Sequence, residues 1–168
     1  MSQIEATVYY LQMTAPPETA GRPLPEETRV ERAIDPPVPF YRFLYHAIGG
    51  DYQWLSRRKL SDADLAVLLG DPRNELFVLY CQGVPAGMVE FDRRQPNEVE
   101  IVQFGLMPER IGQGLGRSLL EWTLARAWSY QPSRVWLHTC SLDHPAALPN
   151  YQKRGFTLYR EERIQREP

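Results

Sequence analysis

The sequence predicts an α/β fold in which helices flank a central mixed, mostly antiparallel sheet, built as one domain over residues 1–168. The chain of 168 residues has the size of one domain around one core. Two short apolar runs, 75–81 and 84–91, are joined by the tight turn Gln82-Gly83, which requires antiparallel pairing. The strand that ends at Met107 is followed by a helix and another strand, and such a crossover requires a parallel pair.

Composition and charge exclude several classes of protein. Hydrophobic residues make up 43% of the chain and charged residues 24%, which is typical of a folded globular protein. The 19 Lys and Arg against 21 Asp and Glu give a net charge of -2, so no basic excess is present for binding nucleic acid. No leader pattern and no apolar stretch of membrane-spanning length is visible, so we expect no membrane partner. Cys81 and Cys140 cannot by themselves form a disulfide framework or a zinc site, and we expect a cytoplasmic protein without a metal ion.

The first half of the chain contains one strand and two helices. Residues 6–13 are rich in β-branched and aromatic types and predict a strand. Residues 14–39 form a proline-rich connection, which we expect to be extended or loop-like, either as an ordered loop beside a substrate or as a mobile link. Apolar residues recur at helical spacing over 40–48 before Gly49-Gly50, and Ser61 is a candidate cap for a second helix through Leu69.

The second half alternates strands with helices. The hairpin is followed by a third strand over 98–107 and by a glycine-rich loop at 112–116. That loop leads into a long helix, whose apolar residues lie on one side as far as Trp128. A strand over 134–140, a short helix after Pro145 and a strand from Gly155 complete the order.

The glycine-rich loop is the most informative stretch. Gly112, Gly114 and Gly116 precede or open a helix, where unpaired N–H groups and the positive helix end favour an anion. No Gly-Lys-Ser/Thr follows, and Arg117 stands where a dinucleotide motif requires its last glycine, so two familiar phosphate loops are excluded. A turn that serves only packing remains an alternative on the loop alone.

Taken with the segment Ala146-Ala147…Tyr151-Gln-Lys-Arg-Gly155-Phe156, the loop resembles that of the GCN5-related N-acetyltransferases (GNAT). The resemblance covers roughly residues 75–159, and it implies an acetyl-CoA-dependent N-acetyltransferase with the acyl-CoA N-acyltransferase fold. It assigns the pantetheine arm of coenzyme A to Leu106 and Met107, beside the strand. It also implies that backbone N–H groups near Met107 hold the oxyanion. Pyrophosphate contacts are assigned by the same resemblance to Gly112, Gln113, Gly114, Leu115, Gly116 and Arg117.

The chain departs from the family pattern at three places. Ile111 stands where Gln or Arg is usual, one residue after Arg110, and Asp143 stands at the position of an Asn. The pair Pro149-Asn150 leaves Tyr151 one residue late, and we expect a local bulge or helix kink near Pro149.

The resemblance implies two proton transfers. Tyr151 corresponds to a tyrosine that protonates the departing thiolate, a role that suits a phenol that is neutral at physiological pH. A base must deprotonate the amine, and Glu100 is the first candidate, with Glu98 and Glu90 as rivals because the strand register is not readable. The alternatives are an aromatic core residue for Tyr151 and an exposed strand residue for Glu100.

Aromatic residues mark the region where the acceptor is expected. An aromatic cluster that includes Phe40, Tyr41, Tyr45 and Trp54 lies where the family covers its acceptor, and it forms either a pocket wall or an ordinary core. For His138 and Cys140 we expect packing, since no third member of a nucleophilic triad is visible. The prediction is transfer of acetyl to a primary amine, with a small-molecule acceptor favoured. A silent CoA-binding module, a protein or peptide acetyltransferase, a longer acyl donor and a homodimer stay open.

Overall fold

A computed structural model of the chain describes residues 3–52, 54 and 56–166. The strands of the described part are β1 (Ile4–Met13), β2 (Thr28–Ala33), β3 (Asn74–Cys81), β4 (Val84–Asp92), β5 (Glu98–Leu106), β6 (Arg134–Cys140) and β7 (Thr157–Arg166). The helices are α1 (Val38–Gly49), α2 (Asp62–Gly70), α3 (Leu115–Ser129) and α4 (Ala147–Lys153). Short 3-10 turns cover Gly50–Tyr52 and Pro108–Arg110.

The seven strands form one mixed sheet in the order β2-β3-β4-β5-β6-β1-β7. Neighbouring strands are antiparallel, including the predicted hairpin of β3 and β4, except that β5 and β6 are parallel. The mixed, mostly antiparallel sheet flanked by helices is therefore confirmed. The parallel pair follows from the crossover through α3, as the sequence predicts.

The proline-rich segment 14–39 is more structured than its expected loop-like state. It contains β2, which pairs with β3 from Thr28 opposite Cys81 to Ala33 opposite Leu76. Helix α1 also begins inside it, at Val38. The prolines lie on both sides of residues 26–35 and leave that stretch free to pair. Its polar, partly exposed edge strand carries little of the apolar alternation from which a strand is recognised.

Two apolar clusters cover the two faces of the sheet. One packs α3 against residues such as Phe91, Ile101 and Leu137. The other packs α1 and α2 against β3 and β4, with Leu44 and Met88 among its buried members. Apolar packing therefore covers the sheet on both faces. Within the described ranges, no helix has the length and apolar content needed to cross a bilayer.

Candidate active site

A wedge opens in the sheet between β5 and β6. The two strands pair only from Glu98 opposite Arg134 to Ile101 opposite Leu137. Beyond that point β5 stays with β4 and β6 stays with β1, so the two strands diverge. The register of β5 against β4 shifts between Glu90 and Phe91. Such a shift is a β-bulge, which bends the strand. A cavity of about 600 Å³ occupies the wedge and is lined by both strands.

The glycine loop forms one end of this cavity. Gly112 and Gly114 have φ angles of +86° and +82°, in the left-handed region that favours glycine. A Cβ at either position would meet no atom within 4 Å, so packing does not demand these glycines. Gly114 precedes α3 without a side-chain cap, and the N–H groups of residues 112–117 donate to no described residue. The loop therefore presents a row of free donors at a helix N-terminus, which suits an anion.

Four cationic side chains line the same cavity: Arg117, Lys153, Arg154 and Arg166. Arg117 and Arg154 both approach the carboxylate of Glu121, at 3.3 and 3.6 Å. Sequence reasoning did not select Lys153 or Arg154, although both lie immediately before Gly155. Their position opposite the loop depends on how α4 docks on the sheet, which local patterns do not reveal.

Of the eight predicted cofactor residues, five line the cavity and three do not. Leu106, Gly112, Gly114, Gly116 and Arg117 line the cavity. Gln113 turns its side-chain amide to the carbonyl of Glu109, at 3.2 Å, and Leu115 is buried, so these two offer only their backbone.

The backbone N–H of Met107, the residue predicted to lie beside the pantetheine arm, already has a partner. Its N–H donates to the carbonyl of Ala86 at 2.8 Å, and its own carbonyl accepts from Arg110 N at 2.9 Å. The side chain is buried in the α1/α2 cluster. The N–H of Met107 is therefore not free for a pantetheine arm or an oxyanion.

Tyr151 lies on α4 and lines the cavity. Its ring packs edge-on against Phe104 and Phe156, with centroids 6.2 and 5.9 Å away. Only 9% of the residue is exposed, and its hydroxyl has no hydrogen-bond partner in the described part of the chain. Burial, and to a lesser extent the charge of Asp143, raise the pKa of Tyr151 above its usual value.

The departures from the family pattern have simple local structures. Helix α4 runs without interruption from Ala147 to Lys153, so the expected bulge or kink near Pro149 is not there. Pro149 lies in the first turn, where its missing N–H has no intrahelical partner to lose. Ile111 lines the cavity, whereas Arg110 is not among the described lining residues.

Glu100 lies at the closed end of the wedge, opposite Asp92 of β4 and Trp136 of β6. It does not line the cavity itself, and none of the described residues forms a hydrogen bond or ion pair with it. Burial, with the nearby charges of Asp92 and Glu90, raises the pKa of Glu100 to about 7, against the opposing charge of Arg57.

The two rival glutamates are occupied by partners. Glu90 is fully buried and accepts from the Tyr41 hydroxyl, from Arg57 at 2.9 Å and from Asn74 at 3.0 Å. Glu98 is paired with Arg134 at 2.8 Å.

The aromatic cluster is divided by the structure. Tyr45 and Trp54 line the cavity, whereas Phe40 and Tyr41 do not. Tyr41 is fully buried and bound to Glu90, and Phe40 packs against the α1/α2 cluster, so both serve the core.

His138 and Cys140 also line the cavity, although packing alone is expected for them. The imidazole lies between Tyr10 and Trp136, with ring centroids 5.8 and 6.4 Å away. Desolvation lowers the pKa of His138, and the charge of Asp143 opposes that effect. Side chains alternate between the two faces along β6, so His138 and Cys140 lie on one face. This alternation is the sequence feature from which their shared position could be predicted.

Comparisons with known proteins converge on one family. Residues 39–156 match the model of the acetyltransferase (GNAT) family. A search of curated proteins finds no match. The fold is similar to that of a protein assigned to the GNAT acetyltransferases from Novosphingobium aromaticivorans DSM 12444, with 19% identity over 98% of this chain and 65% of that one (TM-score 0.64).

Two further solved structures are similar in fold. A GCN5-related N-acetyltransferase from Sphaerobacter thermophilus has 17% identity over 97% of this chain and 52% of that one (TM-score 0.64). An aminoglycoside acetyltransferase from an uncultured soil metagenomic sample, in complex with sisomicin, has 16% identity over 77% of this chain and 88% of that one (TM-score 0.62). The chain thus spans about half to two thirds of the length of the first two relatives.

Proposed function

Because the chain belongs to the acetyltransferase (GNAT) family, we propose that it transfers the acetyl group of acetyl-CoA to a primary amine of a small molecule. The observation that carries the proposal is the row of free N–H donors at residues 112–117, which opens on the wedge between β5 and β6. A partly aromatic cavity of about 600 Å³ supports a small acceptor.

The residues present fit coenzyme A. The loop N–H groups would bind the pyrophosphate, and Arg117, Lys153 and Arg154 supply positive charge at the same cavity. The edge of β5 that faces the wedge has no strand partner beyond Ile101, so it can pair with an extended arm. When bound, acetyl-CoA supplies an acetyl group activated as a thioester.

Glu100 is the proposed general base. A carboxylate with a pKa of about 7 can hold a proton taken from an amine near neutral pH. Since Glu100 lies behind the cavity wall, it would receive that proton through water. His138 is a second candidate, because it lines the cavity and its lowered pKa keeps the imidazole neutral.

Tyr151 is the proposed general acid. Its hydroxyl has no protein partner among the described residues, and its raised pKa keeps it protonated at neutral pH. A protonated phenol at the cavity wall can donate to a sulfur atom on which negative charge develops.

Calorimetric titration with coenzyme A and acetyl-CoA tests the proposal, with Gly114→Val as the perturbing variant. Valine strains the left-handed backbone and obstructs the approach of an anion, so the dissociation constant should rise at least tenfold. Gly83→Val is the matched control, because Gly83 has φ +83° and equally open surroundings but lies in the β3–β4 turn. Absence of binding to the wild-type protein, or equal affinity of Gly114→Val and Gly83→Val, would contradict the proposal.

Catalysis is tested separately from binding. Thiol release from acetyl-CoA should occur with at least one member of a panel of primary amines, amino acids and peptides. Binding without release from any member would instead identify a silent CoA-binding module, and release only with peptides would identify a peptide acetyltransferase.

A further inference from the structure

Trp54 is held on three sides at the wedge. Its indole lies against Gly49 of α1, where a Cβ would overlap the ring. On β5, a Cβ at Gly105 would lie 3.2 and 3.5 Å from Cη2 and Cζ2 of the same ring. Its Nε1 donates to Oδ1 of Asp143 at 3.2 Å. Gly49 makes room for the indole, and Gly105 makes room for Ile48, whose Cγ2 would lie 2.6 Å from the same Cβ, and for the edge of the indole. The carboxylate fixes the orientation of the ring.

Asp143 is itself fixed at the end of β6. Its Oδ2 accepts from the Thr139 hydroxyl at 2.6 Å and from Cys140 N at 2.7 Å. The indole therefore extends from Gly105 on β5 to the end of β6, which are the two strands that diverge. Trp54 crosses the open part of the wedge.

The indole crosses on the face opposite the glycine loop. Trp54 packs against the α1/α2 cluster, whereas Phe104 and Leu106 pack against the α3 cluster. A molecule that entered the wedge from the loop would meet the indole at its far side. The ring is large and pinned at three points, so displacing it costs several contacts.

We propose that Trp54 limits the length of the acyl group that the site accepts, closing the wedge so that acetyl fits and longer chains do not. This inference rests on the proposed function, since it assumes that an acyl-CoA occupies the cavity. Each further methylene would have to displace the indole from Gly105 or leave the wedge.

Calorimetry without any acceptor tests this inference. Dissociation constants are measured for coenzyme A, acetyl-CoA and hexanoyl-CoA with wild type and Trp54→Ala. Wild type should bind hexanoyl-CoA at least tenfold more weakly than acetyl-CoA, and Trp54→Ala should reduce that ratio at least tenfold. Trp54→Leu, which removes less volume, should reduce it in the same direction and serves if the alanine variant does not fold.

Tyr52→Ala is the matched control. Tyr52 lies in the same segment and lines the same cavity, but its ring contacts His144 and not the glycine positions. Its ratio of the two dissociation constants should stay within about threefold of wild type. An unchanged ratio in both Trp54 variants, or an equal fall of the ratio in Tyr52→Ala, would overturn the inference. Binding of coenzyme A would leave the proposed function standing in either case. Failure of wild type to bind coenzyme A at all would overturn the proposed function itself.

Discussion

Tyr151 combines an enclosed ring with an unpaired hydroxyl. The ring is held by Phe104 and Phe156, so its position does not depend on a hydrogen bond. The hydroxyl has no partner among the described residues, and it keeps access to the cavity, where water or a ligand can bond to it. The hydroxyl is therefore available to a molecule bound in the cavity.

Tyr151→Phe should lower turnover by roughly 10²-fold, the usual scale for a positioned acid. The ring packing is retained, so affinity for coenzyme A should change less than about twofold. Thiol release with an active amine and calorimetry measure the two quantities. Tyr159→Phe is the control, since Tyr159 is exposed on β7, with its hydroxyl 3.4 Å from Arg134. Wild-type turnover in Tyr151→Phe would remove the acid from the proposal.

Single residues show where sequence reasoning succeeds and where it stops. Gly112 and Gly114 could be predicted because the backbone conformation itself selects glycine. Met107 could not be placed, because the use of its N–H and carbonyl depends on pairing with Ala86 and on the following turn. Tyr41 and Tyr45 share a helix and both are buried in the same cluster, yet Tyr45 also lines the cavity and Tyr41 does not.

At the scale of elements, one buried cluster joins four parts of the fold. Glu90 of β4 binds Tyr41 of α1, Arg57 of the segment after α1, and Asn74 of β3. Desolvation and the charge of Glu90 raise the pKa of Tyr41, so the hydroxyl stays protonated and donates. The segment with Arg57 also carries Ser56, which lines the cavity, so the cluster supports the cavity wall.

Glu90→Gln should destabilise the fold by about 3 kcal/mol or more, because it leaves the Arg57 guanidinium buried without a counter-charge. Chemical unfolding followed by circular dichroism measures the loss. Glu98→Gln is the matched control: it removes the Glu98–Arg134 pair, whose side chains are 26% and 31% exposed, and should cost less than about 1 kcal/mol. Equal losses in the two variants would show that the buried cluster does not stabilise the fold as described.

The elements also differ in how far sequence predicts them. The hairpin and the crossover through α3 follow from turn residues and from the length of the connection, which are local. Strand β2 does not, because it is a polar edge strand that forms by pairing with β3. The wedge likewise depends on where β6 leaves β5, which no pattern in either strand encodes.

At the scale of the whole molecule, three carboxylates face one another beside the wedge. Glu90, Asp92 and Glu100 lie on adjacent strands, with Arg57 and Arg94 as the nearby positive charges. The near-neutral net charge of -2 therefore conceals a local concentration of negative charge. The fold tolerates it by pairing Glu90 with Arg57 and Asp92 with Arg94, which leaves Glu100 as the unpaired member within the described residues.

Because Glu100 has no counter-ion, its ionisation should oppose folding. Its pKa rises from 4.5 to about 7 in the folded protein, so between these values the native state holds a proton that the unfolded state has lost. Stability should therefore fall as pH rises from about 4.5 to 7, and the loss should be complete above that range. The shift corresponds to at most about 3 kcal/mol, and solvent around this partly exposed group should reduce the loss to about 2 kcal/mol.

Glu100→Gln removes the contribution of Glu100 ionisation to the free energy of unfolding, so it tests that contribution without any acceptor. Relative to wild type, the variant should be more stable at pH 8 than at pH 5, with the difference between the two proteins growing by about 2 kcal/mol across that range. Urea unfolding at several pH values measures the difference, and groups that titrate equally in both proteins cancel. A Glu100→Gln difference that stays constant with pH would mean that Glu100 titrates as an ordinary carboxylate, and it could not then hold a proton near neutral pH as a base.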